Sequence, residues 1–214
     1  MTGDASTKTD LRREVGTYAA RRGVFSVVEV PPLQYLAVDG RGDPDTAQAY
    51  PDALAALYPV AYRVKFSSRE HGRDYTVMPL EALWWSADLA AFTTERDKTR
   101  WEWTLLTLVP AWTTTEQVDA ARAVAAHQNP APAFPHVRLQ HLDEGLCVQT
   151  LHVGPYDAEG PVLAEMHDEL IPAHGFRPRG VHHEIYLNDA RRTAPEKLRT
   201  ILRQPVEAAH AHRV

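Results

Sequence analysis

The sequence predicts an α+β fold in which one order of elements, strand, turn, helix, strand, occurs twice. Three observations carry that prediction. Segments such as "LQYLAVDG" (33–40) and "GVHHEIYLND" (180–189) alternate side chains with period two, the mark of half-buried strands. Other segments place apolar residues at helical spacing. The two halves can also be laid over each other. "YLAVDGRGDPD" matches "CVQTLHVGPYD" with Gly42 opposite Gly154, and "MPLEALWW" matches "VHHEIYLN" with Glu81 opposite Glu184. A duplicated unit of this kind joins two small sheets about a pseudo-two-fold axis, with a natural cleft where the halves meet.

Taken in order, residues 1–23 are polar and read as an N-terminal arm. "VFSVVEV" (24–30) and "LQYLAVDG" are strands split by Pro31 and Pro32, and "GRGDPDT" (40–46) is a turn. "AQAYPDALAALYPVAYRVKF" carries Ala53, Leu54, Leu57, Tyr58 and Ala61 at helical spacing, with Pro51 in a first turn and Pro59 expected to kink or divide the helix. "YTVMPLEALWWS" (75–86) and "RWEWTLLTLVPAW" (100–112) are strands joined by the charged "ADLAAFTTERDKT". "TEQVDAARAVAAHQ" (115–128) is a helix, ended by "NPAPAFP". "VRLQHL", "LCVQTLHV" and "GVHHEIYLND" are strands, and "EGPVLAEMHDELIPAHGF" is a helix. "APEKLRTILRQPV" (194–206) reads as at least two helical turns followed by an extended piece. The expected organisation is one domain over 24–206, with module 1 at about 24–112, a linking helix at about 115–128, module 2 at about 136–206 and a tail at 207–214.

Composition narrows the function. At 44% apolar and 24% charged, the 214-residue chain is globular. No apolar run reaches the roughly 18 residues of a membrane span, and "MTGDASTKTD" is no signal peptide, so a cytoplasmic protein with no membrane association is expected. A single cysteine, Cys147, excludes an internal disulfide and a multi-cysteine zinc site. Net charge is −5 with basic residues scattered, which argues against direct nucleic-acid binding. The stretch before the first strand is also too short for a helix-turn-helix reader with a linker.

The candidate site begins at Glu184. Ile185 and Leu187 claim the core side of their strand, which leaves Glu184 on the other side between His182 and Tyr186, all three as candidate ligand contacts. Trp84, Trp85, Trp101 and Trp103 fall in one window. Trp101 and Trp103 share a strand face, and register with Glu81 makes Trp85 the pocket-side member of its pair. Large aromatics beside carboxylates suit a flat organic cation, since ring faces attract cations by about 0.5–2 kcal/mol and a desolvated carboxylate needs a partner. Tyr35, Tyr156 and Tyr186 are candidates to orient such a ligand. The same residues also suit chemistry, because a glutamate against an apolar wall can act as a general acid or activate water. His182 and His183 point to opposite faces, and no histidine pair has the spacing of a compact zinc motif. There is no G-x-S-x-G elbow and no phosphate loop, so neither a metal nor a cofactor is expected.

"HVGPYDAE", "VHHEIYLNDARRTAPEKLRTILRQPV" and "YTVMPLEALWW…KTRWEWTLLTLVP" resemble the GyrI-like small-molecule-binding family in its stand-alone branch. The resemblance covers roughly residues 25–206. It implies tandem strand-helix-strand-strand modules forming an antiparallel sheet with helices on one side and a central ligand cleft. This is the fold of the ligand-binding half of MerR-type multidrug-sensing regulators, where an acidic residue in an aromatic cleft receives lipophilic cations. That role falls on Glu184 in "HEIY", with Tyr156 of "GPYD" and Tyr186 as companions. The implied function is binding of hydrophobic, planar, often cationic small molecules, with signalling to an unidentified protein partner as one mode of action. Stand-alone members are also linked to hydrolysis of cyclopropane-bearing alkylating natural products. This alternative uses Glu184 and Tyr156, with Glu81 as the second acid. A further alternative is a protein–protein inhibitor.

Overall fold

The computed structural model describes residues 8–87, 97–128 and 131–209. The chain divides into two compact units, one of Met1–Glu14 and Leu33–Leu142, the other of Val15–Pro32 and Asp143–Val214. The expected arm and tail are described only from residue 8 and to residue 209, and most of the charged connection at 87–99 lies outside the described residues.

The N-terminal unit opens with a short helix, α1 (Leu11–Val15). Its sheet is antiparallel, with strand order β3 (Glu81–Trp85), β4 (Glu102–Val109), β2 (Leu33–Arg41) and β5 (Arg138–Leu142). Helix α2 (Ala49–Glu70) buries Ala53, Ala56, Leu57, Val60, Ala61 and Val64, the stripe its periodicity predicts. It packs on β2 and β4. Pro59 lies inside it and does not divide it into two helices. The proline removes one backbone donor, but buried residues on both sides of it hold the helix to the sheet. Helix α3 (Thr115–Gln128) packs on α2 and is a layer of this unit rather than a linker. The strand expected from residue 75 starts at Glu81, because Pro79 has no N–H to give a ladder.

The C-terminal unit repeats the order. Its antiparallel strands run β8 (His182–Tyr186), β9 (Arg199–Ala208), β6 (Gly145–Val153) and β1 (Ser26–Val30), with β7 (Phe176–Pro178) also paired to β9. In the first unit β3 pairs with β4, β4 with β2, and β2 with the added β5; in the second, β8 pairs with β9, β9 with β6, and β6 with the added β1. The strand expected to open module 1 is that added strand of the second unit, since Ser26 to Val30 pair with Gln149 to Gly145. The helix between β6 and β8 comprises α4 (Gly160–Ala164), a π-helical stretch over Glu165–Leu170, and α5 (Ile171–Ala173). Met166 and Ile171 pack with Val148, Leu202 and Val206 to form the core on that side of the sheet.

One expectation is overturned. Residues 194–206 are not helical beyond a 3₁₀ turn at Pro195–Lys197, and the rest is the ten-residue β9. Every residue from Thr200 to Val206 is buried. A central strand covered on both faces loses its period-two signature, so Leu198 and Leu202 mimic helical spacing. Among the described residues no helix is long and apolar enough to cross a membrane.

Candidate functional site

Strand β8 sorts its side chains between two environments. His183 and Ile185 share a face with Arg203 and Ile201 of β9, their cross-strand partners. That face holds a buried charge network instead of an all-apolar core. Arg203 Nη1 donates to Glu144 Oε2 at 3.0 Å, and His183 Nδ1 lies 2.9 Å from Glu144 Oε1. Arg203 Nε donates to Gln149 Oε1 at 3.0 Å and its Nη2 to the Thr17 carbonyl at 2.9 Å. Burial acts to raise the Glu144 carboxyl, but the charges and hydrogen bonds of His183 and Arg203 overcome it and hold the group down at about 2.

The other face carries His182, Glu184 and Tyr186. The Tyr186 hydroxyl donates to Glu184 Oε2 at 2.6 Å. The second carboxylate oxygen faces His182, whose Nε2 is 3.6 Å away. The Glu184 side chain is only 13% exposed, and among the described residues no lysine or arginine pairs with it. Tyr156 reaches the site from the 3₁₀ turn Tyr156–Ala158. Its ring meets that of Tyr186 edge to face, with centroids 5.5 Å apart. Gly154 sets up this turn at φ 145°, a conformation that favours glycine. Burial first, then the charges of Glu159, Glu184 and Asp189, push the Tyr156 phenol up to about 12. The surroundings of Tyr156 are therefore acidic, and the phenol remains a proton donor.

His167, on the π-helical stretch, places its ring 6.3 Å from that of His182. Burial, and then the neighbouring His182, depress its pKa to about 4. A histidine with a depressed pKa charges more readily in the unfolded chain, so its stabilisation is complete above about 6.5 and is lost as pH falls toward about 4. Glu144 is also depressed, and its contribution is lost below the ordinary value of 4.5 as pH approaches about 2. We expect the melting temperature of the wild type to fall further than that of His167→Gln between pH 6.5 and 4. Equal falls would contradict the assignment.

The remaining sequence candidates lie in the N-terminal unit, on two different faces. Glu81 and Trp85 share a face of β3, and the register through Leu106 and Leu108 places Tyr35 on the same side. Glu81 and Tyr35 are wholly buried, while Trp85 Nε1 donates to Glu102 Oε2 at 2.6 Å. Trp84 and Trp103 are cross-strand partners on the opposite, helix-bearing side. There Tyr50 of α2 meets Trp103 at 5.2 Å and Trp84 at 6.4 Å, and Trp101 packs edge-on to Trp84 at 5.7 Å. Trp103 is wholly buried. The candidates therefore divide, with Trp101 and Trp103 beside Trp84 and with Trp85 on the face of Glu81. A surface groove of about 670 Å³ beside α3, lined by Arg122, Ala126 and Phe134, contains none of the sequence candidates.

Sequence reasoning missed Glu144, Arg203 and His167. Arg203 carried a signal, because reading "TILRQPV" as a strand sets a charge two residues from Ile201 on its core face. No set of three histidine, cysteine, aspartate or glutamate side chains among the described residues is arranged to hold a metal ion. Cys147 is buried as a free thiol.

A family model described as a GyrI-like small molecule binding domain matches residues 24–207. Among solved structures, the chain is 37% identical to an uncharacterized conserved protein from Listeria innocua, covering 94% of this chain and 100% of that one, with a TM-score of 0.83. It is 35% identical to a hydrolase from Listeria innocua, with the same coverage and a TM-score of 0.81. The EcmrR C-terminal domain shares 11% identity and a TM-score of 0.56 over 86% of this chain and 98% of that one, a likeness of fold alone. No match was found among curated proteins.

Proposed function

The chain belongs to the GyrI-like small-molecule-binding family, and on that premise we propose that its C-terminal unit binds hydrophobic, planar, often cationic small molecules. One observation carries the reading. Glu184 is a nearly buried carboxylate whose protein contacts are a phenol and a histidine, with no lysine or arginine to balance it among the described residues. Burying such a charge unpaired is unfavourable by several kcal/mol, and a bound cation relieves it. The rings of Tyr156 and Tyr186 supply apolar and cation-attracting surface beside the acid. Tyr156 is 38% exposed, so a ligand can reach its ring from solvent.

Equilibrium titration with a fluorescent cationic dye of the rhodamine class tests this. Micromolar binding should weaken about tenfold or more in Glu184→Gln, a difference of ~1.4 kcal/mol. Binding indifferent to that substitution would remove Glu184 from the site.

A second reading is hydrolysis of strained electrophiles such as cyclopropane-bearing natural products, favoured by the 35% identity to a hydrolase over nearly the whole chain. Glu184 then takes the proton of an attacking water, and the protonated Tyr156 phenol donates to the atom that gains charge. Turnover that disappears in Glu184→Gln supports this reading, while saturable dye binding without turnover supports the first.

A further inference from the structure

His182 lies beside Glu184 but takes no part in the cation pairing proposed for that carboxylate. It is 4% exposed, and neither ring nitrogen makes a hydrogen bond among the described residues. A buried polar group without such a bond is unfavourable by about 1–3 kcal/mol. Strand alternation puts it beside Glu184 on the same face, two residues away. Tyr186 already occupies Glu184 Oε2. The other oxygen, Oε1, and His182 Nε2 are 3.6 Å apart. In one neutral tautomer Nε2 presents a lone pair. The pair then forms two acceptors close enough for one donor group to bridge both. The ionisable groups near this point include Glu184 and Tyr186 on β8, His167 on the π-helical stretch beside Asp168, and Tyr156 from its turn, near Glu159 and Asp189. None of them hydrogen-bonds to either His182 nitrogen among the described residues.

We infer that His182 and Glu184 together select cations whose charge is carried on nitrogen bearing N–H, over cations of equal size and charge that have none. The inference rests on the proposed cation binding at Glu184 and names the ligand class within it. A fully alkylated ammonium or a phosphonium pairs with the carboxylate but leaves the imidazole unsatisfied. An arylamine or amidinium N–H satisfies both acceptors. This is the asymmetric discrimination that buried hydrogen-bonding groups provide, since the wrong ligand strands a polar atom.

The test uses two rhodamine esters of equal charge, one with N-monoethyl nitrogens and one with N,N-diethyl nitrogens. Wild type should bind the monoethyl dye about tenfold more tightly. His182→Phe should erase the preference by weakening the monoethyl dye to the level of the diethyl dye. His182→Gln, which restores an acceptor, should retain most of it, and this variant decides the matter if the phenylalanine chain does not fold. Glu184→Gln should weaken both dyes. If both dyes weaken in Glu184→Gln but wild type shows no preference, or the preference survives in His182→Phe, the role of His182 is overturned while cation binding stands. If neither dye binds, or Glu184→Gln changes neither, the underlying reading fails and the inference fails with it.

Discussion

Replacing Arg203 by methionine is expected to lower the unfolding free energy by about 3–5 kcal/mol in urea denaturation. Arg203 is wholly buried and donates to Glu144, Gln149 and the Thr17 carbonyl. Methionine fills a comparable volume but withdraws the positive charge. Glu144 is 3% exposed and, among the described residues, would be left with the His183 imidazole to oppose its desolvation. The residual penalty should be visible as a rise in the Glu144 pKa from its depressed value of about 2. Adding Glu144→Gln to Arg203→Met should return part of the loss, because the orphaned charge is gone. A loss under about 1 kcal/mol would place the network among weak surface pairs.

The second large effect concerns Trp103. Its alanine variant should be destabilised by about 3–5 kcal/mol, the range for deleting a large aromatic from a core. The ring is wholly buried, meets Tyr50 edge to face, and its Nε1 donates to the Gly42 carbonyl at 3.2 Å. It also lies over Gly40, where an added β-carbon would come within 2.0 Å of the ring. Overpacking at that point displaces the ring itself. The same variant separates core from ligand roles, because the folded fraction should bind the cationic dye within about twofold of wild type. A stable Trp103→Ala protein that no longer binds dye would return Trp103 to the ligand site.

These two residues show where sequence reading succeeds and where it stops. Alternation alone set His182, Glu184 and Tyr186 on one face of a strand, and the structure finds them there in contact. The repeated order of elements was likewise legible, since a helix separates β2 from β3 in one unit and β6 from β8 in the other. Pairing was not legible. Nothing in "SVVEV" says that it pairs with residues 145–149 in preference to the adjacent Leu33–Arg41, because strand partners are chosen by surfaces distant in sequence. Strand β9 lost its signature because both its faces are buried. The tryptophans were readable as a cluster but not as a side of the sheet. Their side is set by Tyr50 of α2, which reaches Trp84 and Trp103 from the helix. Arg203 and Glu144 lie 59 positions apart, and a buried ion pair over that separation is invisible until the strands are aligned.

The Glu184 carboxylate is proposed as the counter-charge of a cation site. The most direct test is a thermodynamic cycle using a planar dye in its cationic form and its neutral reduced form, each titrated against wild type and Glu184→Gln. Wild type should prefer the cationic form by about tenfold and the preference should vanish in the variant, a coupling of ~1.4 kcal/mol. An equal preference in both proteins would show that Glu184 does not read the charge.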